Sequence, residues 1–146
     1  MNGKACDILI VEDNPTDAEL TLRALGRISL ANRVTVVEDG EEALEYLFGT
    51  GRHTDRPDAG TPRVVLLDLK LPKLSGLEAL ARIRGDERTR QLPVVVVTSS
   101  RQDPDIREAY RLGANSYVVK PVEFDAFVEA MAQVGMYWML INEPPR

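Results

Sequence analysis

Apolar residues along this chain alternate between two patterns. Short, largely apolar runs occupy residues 7–11, 34–37, 64–67, 93–98 and 116–119. A run such as Val64-Val65-Leu66-Leu67 is apolar on both faces, which suits a strand buried on both sides of a parallel sheet. Between the runs the apolar positions switch to helical spacing. Asn14-Pro15 reads as an N-cap with proline at the first helical position, followed by Ala18, Leu22 and Leu25 on one face, so the helix should reach the high twenties. Asp39 to Glu42 and Ser75 to Glu78 resemble capping boxes. They open helices carrying Ala43, Leu44 and Leu47, and Leu77, Leu80 and Ala81. Asp103-Pro104 repeats the cap-plus-proline signal for a helix ending at Gly113, and a last helix starts near Glu123. Strand–helix repeated five times with right-handed crossovers predicts an α/β fold: a five-stranded, doubly wound parallel sheet in the order 2-1-3-4-5.

Composition narrows the chemistry. The 146 residues suit a single domain spanning 1–146. A net charge of −5 argues against a nucleic-acid surface. Cys6 is the only cysteine and His53 the only histidine, which excludes an internal disulfide, a cysteine zinc site and histidine-centred catalysis. No apolar run is long enough to span a bilayer and no signal-peptide pattern opens the chain, so no membrane partner and a cytoplasmic location are expected. The polar stretch 49–62 enters the third strand from the edge opposite the strand ends and reads as a mobile surface insertion.

The strand ends carry the chemistry. Strand one runs into Glu12-Asp13, strand three into Asp68, strand four into Thr98 and strand five into Lys120. Parallel strands bring all of these to one edge, where open sheets bind ligands. Three neighbouring carboxylates repel one another, and a hard divalent cation such as Mg²⁺ relieves that repulsion through oxygen ligands. The same arrangement prepares Asp68 to attack phosphorus, with a hydroxyl from Thr98 and a positive charge from Lys120 beside the product. Singly, each residue has an ordinary explanation: acids favour a helix N-terminus, a strand-end threonine bonds backbone, and a lysine sits in water. All of them falling at matching strand ends is a much stronger signal.

Glu12-Asp13, Asp68, Thr98-Ser99 and Lys120-Pro121, in this order and spacing, resemble the receiver domain of two-component response regulators, a flavodoxin-like fold. The resemblance covers essentially the whole chain. It implies that a histidine kinase phosphorylates Asp68 and that Asp13, Asp68 and the Lys70 backbone carbonyl bind Mg²⁺, with Glu12 acting through water. It implies phosphoryl contacts from Thr98, Ser99 and Lys120, a switch formed by Thr98 and Tyr117, and a cis bond before Pro121. The run from Ser116 to Val122 and the ending Tyr137-Trp138 with Asn142-Glu143-Pro144-Pro145 are similar to small stand-alone regulators paired with bacterial phytochrome kinases. Lys70, two positions after the acceptor, departs from the shorter polar residue of many relatives, and its long chain could shield a phosphoryl group from water.

Two other readings compete. A Mg²⁺-dependent phosphatase with an aspartate nucleophile would want a second aspartate where Lys70 stands. A flavodoxin-like ligand-binding module would want a phosphate-binding loop after strand one, where Glu12-Asp13 would repel the anion. A DNA-binding output is not expected, since little chain follows the last helix. That helix carries an apolar stripe of Phe124, Phe127, Val128 and Met131. Ala130, Val134, Tyr137 and Ile141 form a second stripe, and residues 136–146 extend the helix as a tail. This surplus predicts a homodimer through the fourth helix, fifth strand, fifth helix and tail.

Overall fold

The computed structural model describes residues 7–30, 34–55, 61–121 and 123–143. Five strands, β1 (Ile8–Val11), β2 (Val34–Val37), β3 (Val64–Leu67), β4 (Val94–Thr98) and β5 (Ser116–Val119), form one parallel sheet in the order β2-β1-β3-β4-β5. This is the expected order. Register fixes the functional edge. Val11 pairs with both Val37 and Leu67, and Thr98 pairs with Val119, so the residues after β1, β3, β4 and β5 emerge side by side.

Five helices cover the sheet: α1 (Pro15–Arg27), α2 (Gly40–Phe48), α3 (Gly76–Gly85), α4 (Asp103–Arg111) and α5 (Phe124–Met136). Alternate strand residues point to opposite faces. Leu9, Val11, Val65, Leu67, Val94 and Val96 meet α2, α3 and α4, while Ile8, Ile10, Val64, Leu66, Val95 and Val97 meet α1 and α5. Two separate apolar cores therefore lie on the two sides, and the three central strands are buried throughout.

The helix starts mostly follow the sequence signals. Asn14 Oδ1 accepts from the Asp17 N–H, and Ser75 with Glu78 forms a complete capping box. At α2 the box is modified: Asp39 caps the Glu42 N–H, but the Glu42 carboxylate reaches the Glu38 N–H instead of the cap residue. The α4 cap is corrected to Gln102, which makes no side-chain cap bond, because Asp103 and Pro104 already belong to the first turn. Gly113 follows α4 with φ of 104°, as its role after a helix end requires.

Several packing expectations are corrected. Ala81 faces solvent; the buried face of α3 is Gly76, Ala79, Leu80 and Ile83. Phe124 is half exposed, and Arg23 lies over its ring. The start of the 49–62 stretch is fastened rather than free: a 3₁₀ turn at Gly51–His53 brings Arg52 onto Asp39 and Glu45, and His53 Nε2 lies 2.9 Å from Glu42. Residues 56–60 of that stretch lie outside the described residues, as do Cys6, Val122, Pro144 and Pro145. Finally, no peptide bond among the described residues is cis, so the Lys120–Pro121 bond is trans, the isomer X-Pro bonds favour by about 0.5–1 kcal/mol.

After α5 the chain makes one π turn at Tyr137–Ile141. Met139 turns inward, whereas Tyr137, Leu140 and Ile141 stay exposed.

Gly76 packs this scaffold against the end of β3, where Asp68 stands. A Cβ there would stand 2.1 Å from the Asp68 carbonyl oxygen and 2.6 Å from Leu69 Cα, both of them backbone. Neither can rotate away, so Gly76→Ala should cost about 2 kcal/mol by forcing the β3–α3 connection aside. Urea unfolding of the two proteins measures this; equal midpoints would mean that the connection yields freely.

Candidate functional site

The edge residues converge as the strand register dictates. The Asp68 N–H donates to the Val11 carbonyl at 3.1 Å, and the Lys120 N–H donates to the Thr98 carbonyl at 2.8 Å. These bonds carry the ladder one residue past each strand and aim the side chains into a common space. Glu12, Asp68 and Thr98 are buried there, Asp13 is exposed, and Ser99 lies on the surface.

One ammonium organises the centre. Lys120 Nζ donates to Glu12 Oε1 at 2.8 Å, Asp17 Oδ2 at 2.8 Å and Asp68 Oδ2 at 3.0 Å. Asp17 was not foreseen from the sequence. It sits on α1, and only the third dimension brings it to a strand end more than a hundred residues away. Burial by itself would lower the Lys120 pKa, but the bonds to Asp17 and Glu12 and the Asp68 charge outweigh it, holding the lysine charged above its ordinary range. Burial dominates at Glu12 and pushes its carboxyl up to about 7, helped by the Asp68 charge and opposed by Lys120 and by the Asn14 N–H. Both Glu12 oxygens are engaged, Oε1 by Lys120 and Oε2 by the Asn14 N–H at 3.1 Å.

The other expected residues form the rim. The Lys70 backbone N–H donates to Asp68 Oδ1 at 3.3 Å, and its side chain is exposed. Thr98 is fully buried, and its Oγ1 lies 3.5 Å from the Ser100 N–H nitrogen. Ser100 is the second residue that sequence reasoning missed. Its hydroxyl donates to Asp105 Oδ2 at 2.5 Å, and its carbonyl accepts the Tyr117 hydroxyl at 3.1 Å. Tyr117 packs against the α2–α3–α4 side, its ring 6.5 Å from that of Tyr110.

Carboxylate oxygens of Glu12, Asp13 and Asp68 all lie within 4.8 Å of one another. The donor set consists of hard oxygens, with no sulfur or imidazole, and fits Mg²⁺ in preference to a softer metal.

A model of the response regulator receiver domain matches residues 8–132. The chain belongs to that family. Among solved structures, the phosphorylated cyanobacterial phytochrome response regulator RcpA is similar at 33% identity and a TM-score of 0.89, over 97% of this chain and 99% of that one. The bacteriophytochrome response regulator AtBRR is 53% identical with a TM-score of 0.73, over 95% of this chain and 99% of that one. A curated relative, the probable methanogenesis regulatory protein FilR2 of Methanothrix harundinacea, is 42% identical over 94% of this chain and 86% of its own. The protein is thus a receiver of two-component signalling whose relatives include stand-alone, phytochrome-associated regulators. Receiver domains bind Mg²⁺ at an acidic pocket, and the cluster of Glu12, Asp13 and Asp68 is consistent with one. No helix among the described residues is long and apolar enough to cross a membrane.

Glu12 gives the receiver a pH signature. Its folded pKa lies above the ordinary carboxylate value of 4.5, so the folded state retains a proton that the unfolded chain releases. With a chelator present, its contribution is complete below about pH 4.5 and is lost as pH rises through about 7. Thermal midpoints of wild type should fall over that window relative to those of Glu12→Gln, which cannot titrate. Parallel profiles would mean that the Glu12 carboxyl is not raised.

Proposed function

We propose that Asp68 receives a phosphoryl group from a histidine kinase and that the receiver signals through contacts with other proteins. One observation carries this reading: the Asp68 carboxylate lies at a buried strand end, between a fully charged lysine and two further carboxylates. One Asp68 oxygen attacks phosphorus in line. A new P–O bond forms as the P–N bond to the donor imidazole breaks, and the electron pair leaves with the nitrogen. The carboxylate becomes an acyl phosphate. Lys120 then faces phosphoryl oxygens, and the Thr98 and Ser99 hydroxyls are the donors from the β4 end. Asp13, Asp68 and the Lys70 carbonyl would hold Mg²⁺, with Glu12 acting through water because its own oxygens are already engaged. When bound, the metal supplies positive charge to the phosphoryl oxygens. Lys70 stands where a turnover phosphatase would need an acid, so the product is a signal rather than an intermediate.

The kinase is of the bacterial phytochrome class. The 53% identity with AtBRR and the full-length match to RcpA support this, whereas the FilR2 relationship extends the same scaffold to another process. Phosphotransfer assays test the reading directly. Asp68→Asn should take up no label, and a chelator should halt uptake by wild type. Stoichiometric labelling of the variant at another residue, or full-rate transfer without divalent metal, would refute it.

This reading carries two outputs. Thr98 moves toward the phosphoryl group and Tyr117 turns inward, displacing the face built by α4, β5 and α5. The same face pairs with a second copy of the chain, as supported by Tyr110, Tyr137, Leu140 and Ile141, which stand exposed along it. A groove of about 530 Å³ between Val118, Val134, Tyr137 and Trp138 gives the pairing concave relief. Sedimentation of wild type should show a dimer that Tyr137→Asp weakens. A wild type that stays monomeric at high concentration, phosphorylated or not, rules the pairing out.

A further inference from the structure

Lys120 has three N–H donors and three carboxylate partners, one donor to each. Two of those partners are contested. Glu12 and Asp68 belong, with Asp13, to the cluster whose oxygens approach within 4.8 Å, where a cation would compete for them. Asp68 is also the atom source for the new bond to phosphorus. The third partner, Asp17, lies outside that cluster and takes no part in either exchange.

Asp17 is well placed to stay put. It occupies the third position of α1, where Pro15 opens the helix and Asn14 Oδ1 caps the Asp17 N–H at 3.1 Å. Thr21 Oγ1 donates to the Asp17 carbonyl at 2.9 Å and ties the first turn together. An anionic side chain in the first turn is also favoured by the helix dipole. The carboxylate is 26% exposed against 9% for the lysine side chain, so it sits where the buried ammonium opens to α1.

We propose that Asp17 is the positioning residue for Lys120, anchoring its ammonium beside the acceptor while Glu12 and Asp68 exchange their partners during phosphorylation. The inference rests on Asp68 being the phosphoacceptor. Without Asp17, the moment Asp68 becomes an acyl phosphate the lysine keeps one original contact at most. Its flexible four-carbon chain then samples positions away from the phosphoryl oxygens. With Asp17 the ammonium pivots on a fixed point and trades only its inner contacts. The charge-assisted bond that forms only as phosphorus is attacked is the one from Lys120 to the phosphoryl oxygens, and misplacing its donor by loss of the Asp17 anchor is worth about a tenfold change in rate.

The test separates positioning from simple support of the fold. Uptake is followed from acetyl phosphate with Mg²⁺, in which the C–O–P ester oxygen leaves with its electron pair as acetate. Asp17→Ala should slow uptake about tenfold, and Asp17→Glu should recover part of the loss. In a Lys120→Met background the further change Asp17→Ala should have no effect, because a residue acting through Lys120 has nothing left to act on. A second measurement is nitrogen-selective NMR of the lysine ammonium in the beryllofluoride-bound protein. The Lys120 signal should be sharp in wild type and broadened in Asp17→Ala. Wild-type uptake by Asp17→Ala, effects that multiply in the double variant, or an unaltered ammonium signal would each overturn the proposal. Asp68→Asn runs in parallel: if it still takes up label, the acceptor assignment fails and the ammonium signal alone judges Asp17. If it takes up none while Asp17→Ala matches wild type, only the positioning role fails.

Discussion

The constraint on which the rest depends is electrostatic. A parallel sheet must end all its strands on one edge, and at this site two strands end in acid, one in threonine and one in a base. Two carboxylates about 4 Å apart repel by about 4 kcal/mol at an effective dielectric of 20. The sheet order makes such approaches unavoidable, because β1 and β3 are hydrogen-bonded neighbours in register. Lys120 relieves the strain from the far end of the chain. A buried ion cluster of this sort contributes little net stability, since desolvation offsets much of the attraction, yet loss of one member is costly. That balance makes the site responsive: any added cation or anion must rearrange the bonds of the one ammonium.

A second chain of contacts leads outward. Thr98 meets the Ser100 N–H at 3.5 Å, the longest link, while the Ser100 hydroxyl and carbonyl hold Asp105 and Tyr117 at 2.5 and 3.1 Å. Asp105 lies in the first turn of α4 and Tyr117 on β5. One residue therefore joins the buried hydroxyl at the strand end to α4 and β5, two of the three elements of the proposed output face. Phosphorylation acts on this chain only as far as it favours one arrangement over another.

The sheet order and the strand-end residues were legible because they depend on period and position alone. Short apolar runs, helices between them and a polar residue at each break admit few topologies. Asp17 was illegible for the opposite reason: at helical spacing it is one of several polar residues on α1, and its partner lies 103 positions later. Ser100 was hidden by being read as loop. Phe124 followed the apolar period of its helix but is its first residue, where period no longer implies burial. The cis bond before Pro121 came from family resemblance and not from any residue, and the bond is trans. The 49–62 stretch had the composition of a free loop, yet Arg52 finds two carboxylates that α2 holds ready for it.

The last helix shows why a second apolar stripe signals more than core. Residues 128, 131, 132, 135 and 139 follow one face and are buried. A helix on a flat sheet can bury only one such face. The stripe through Tyr137 and Ile141 is rotated from it, and the π turn, closed by the Asn142 N–H to the Tyr137 carbonyl at 2.7 Å, widens the helix and keeps those side chains outward. Beside them runs β5, an edge strand only partly buried along its length. The inner end of that strand carries Lys120 and its middle carries Tyr117. Whatever covers the exposed stripe therefore rests on the strand that holds both the ammonium of the acceptor site and the tyrosine bonded to Ser100. If Asp68 is the acceptor as proposed, a contact there that fits one position of β5 better than another would bias the site through that one four-residue strand.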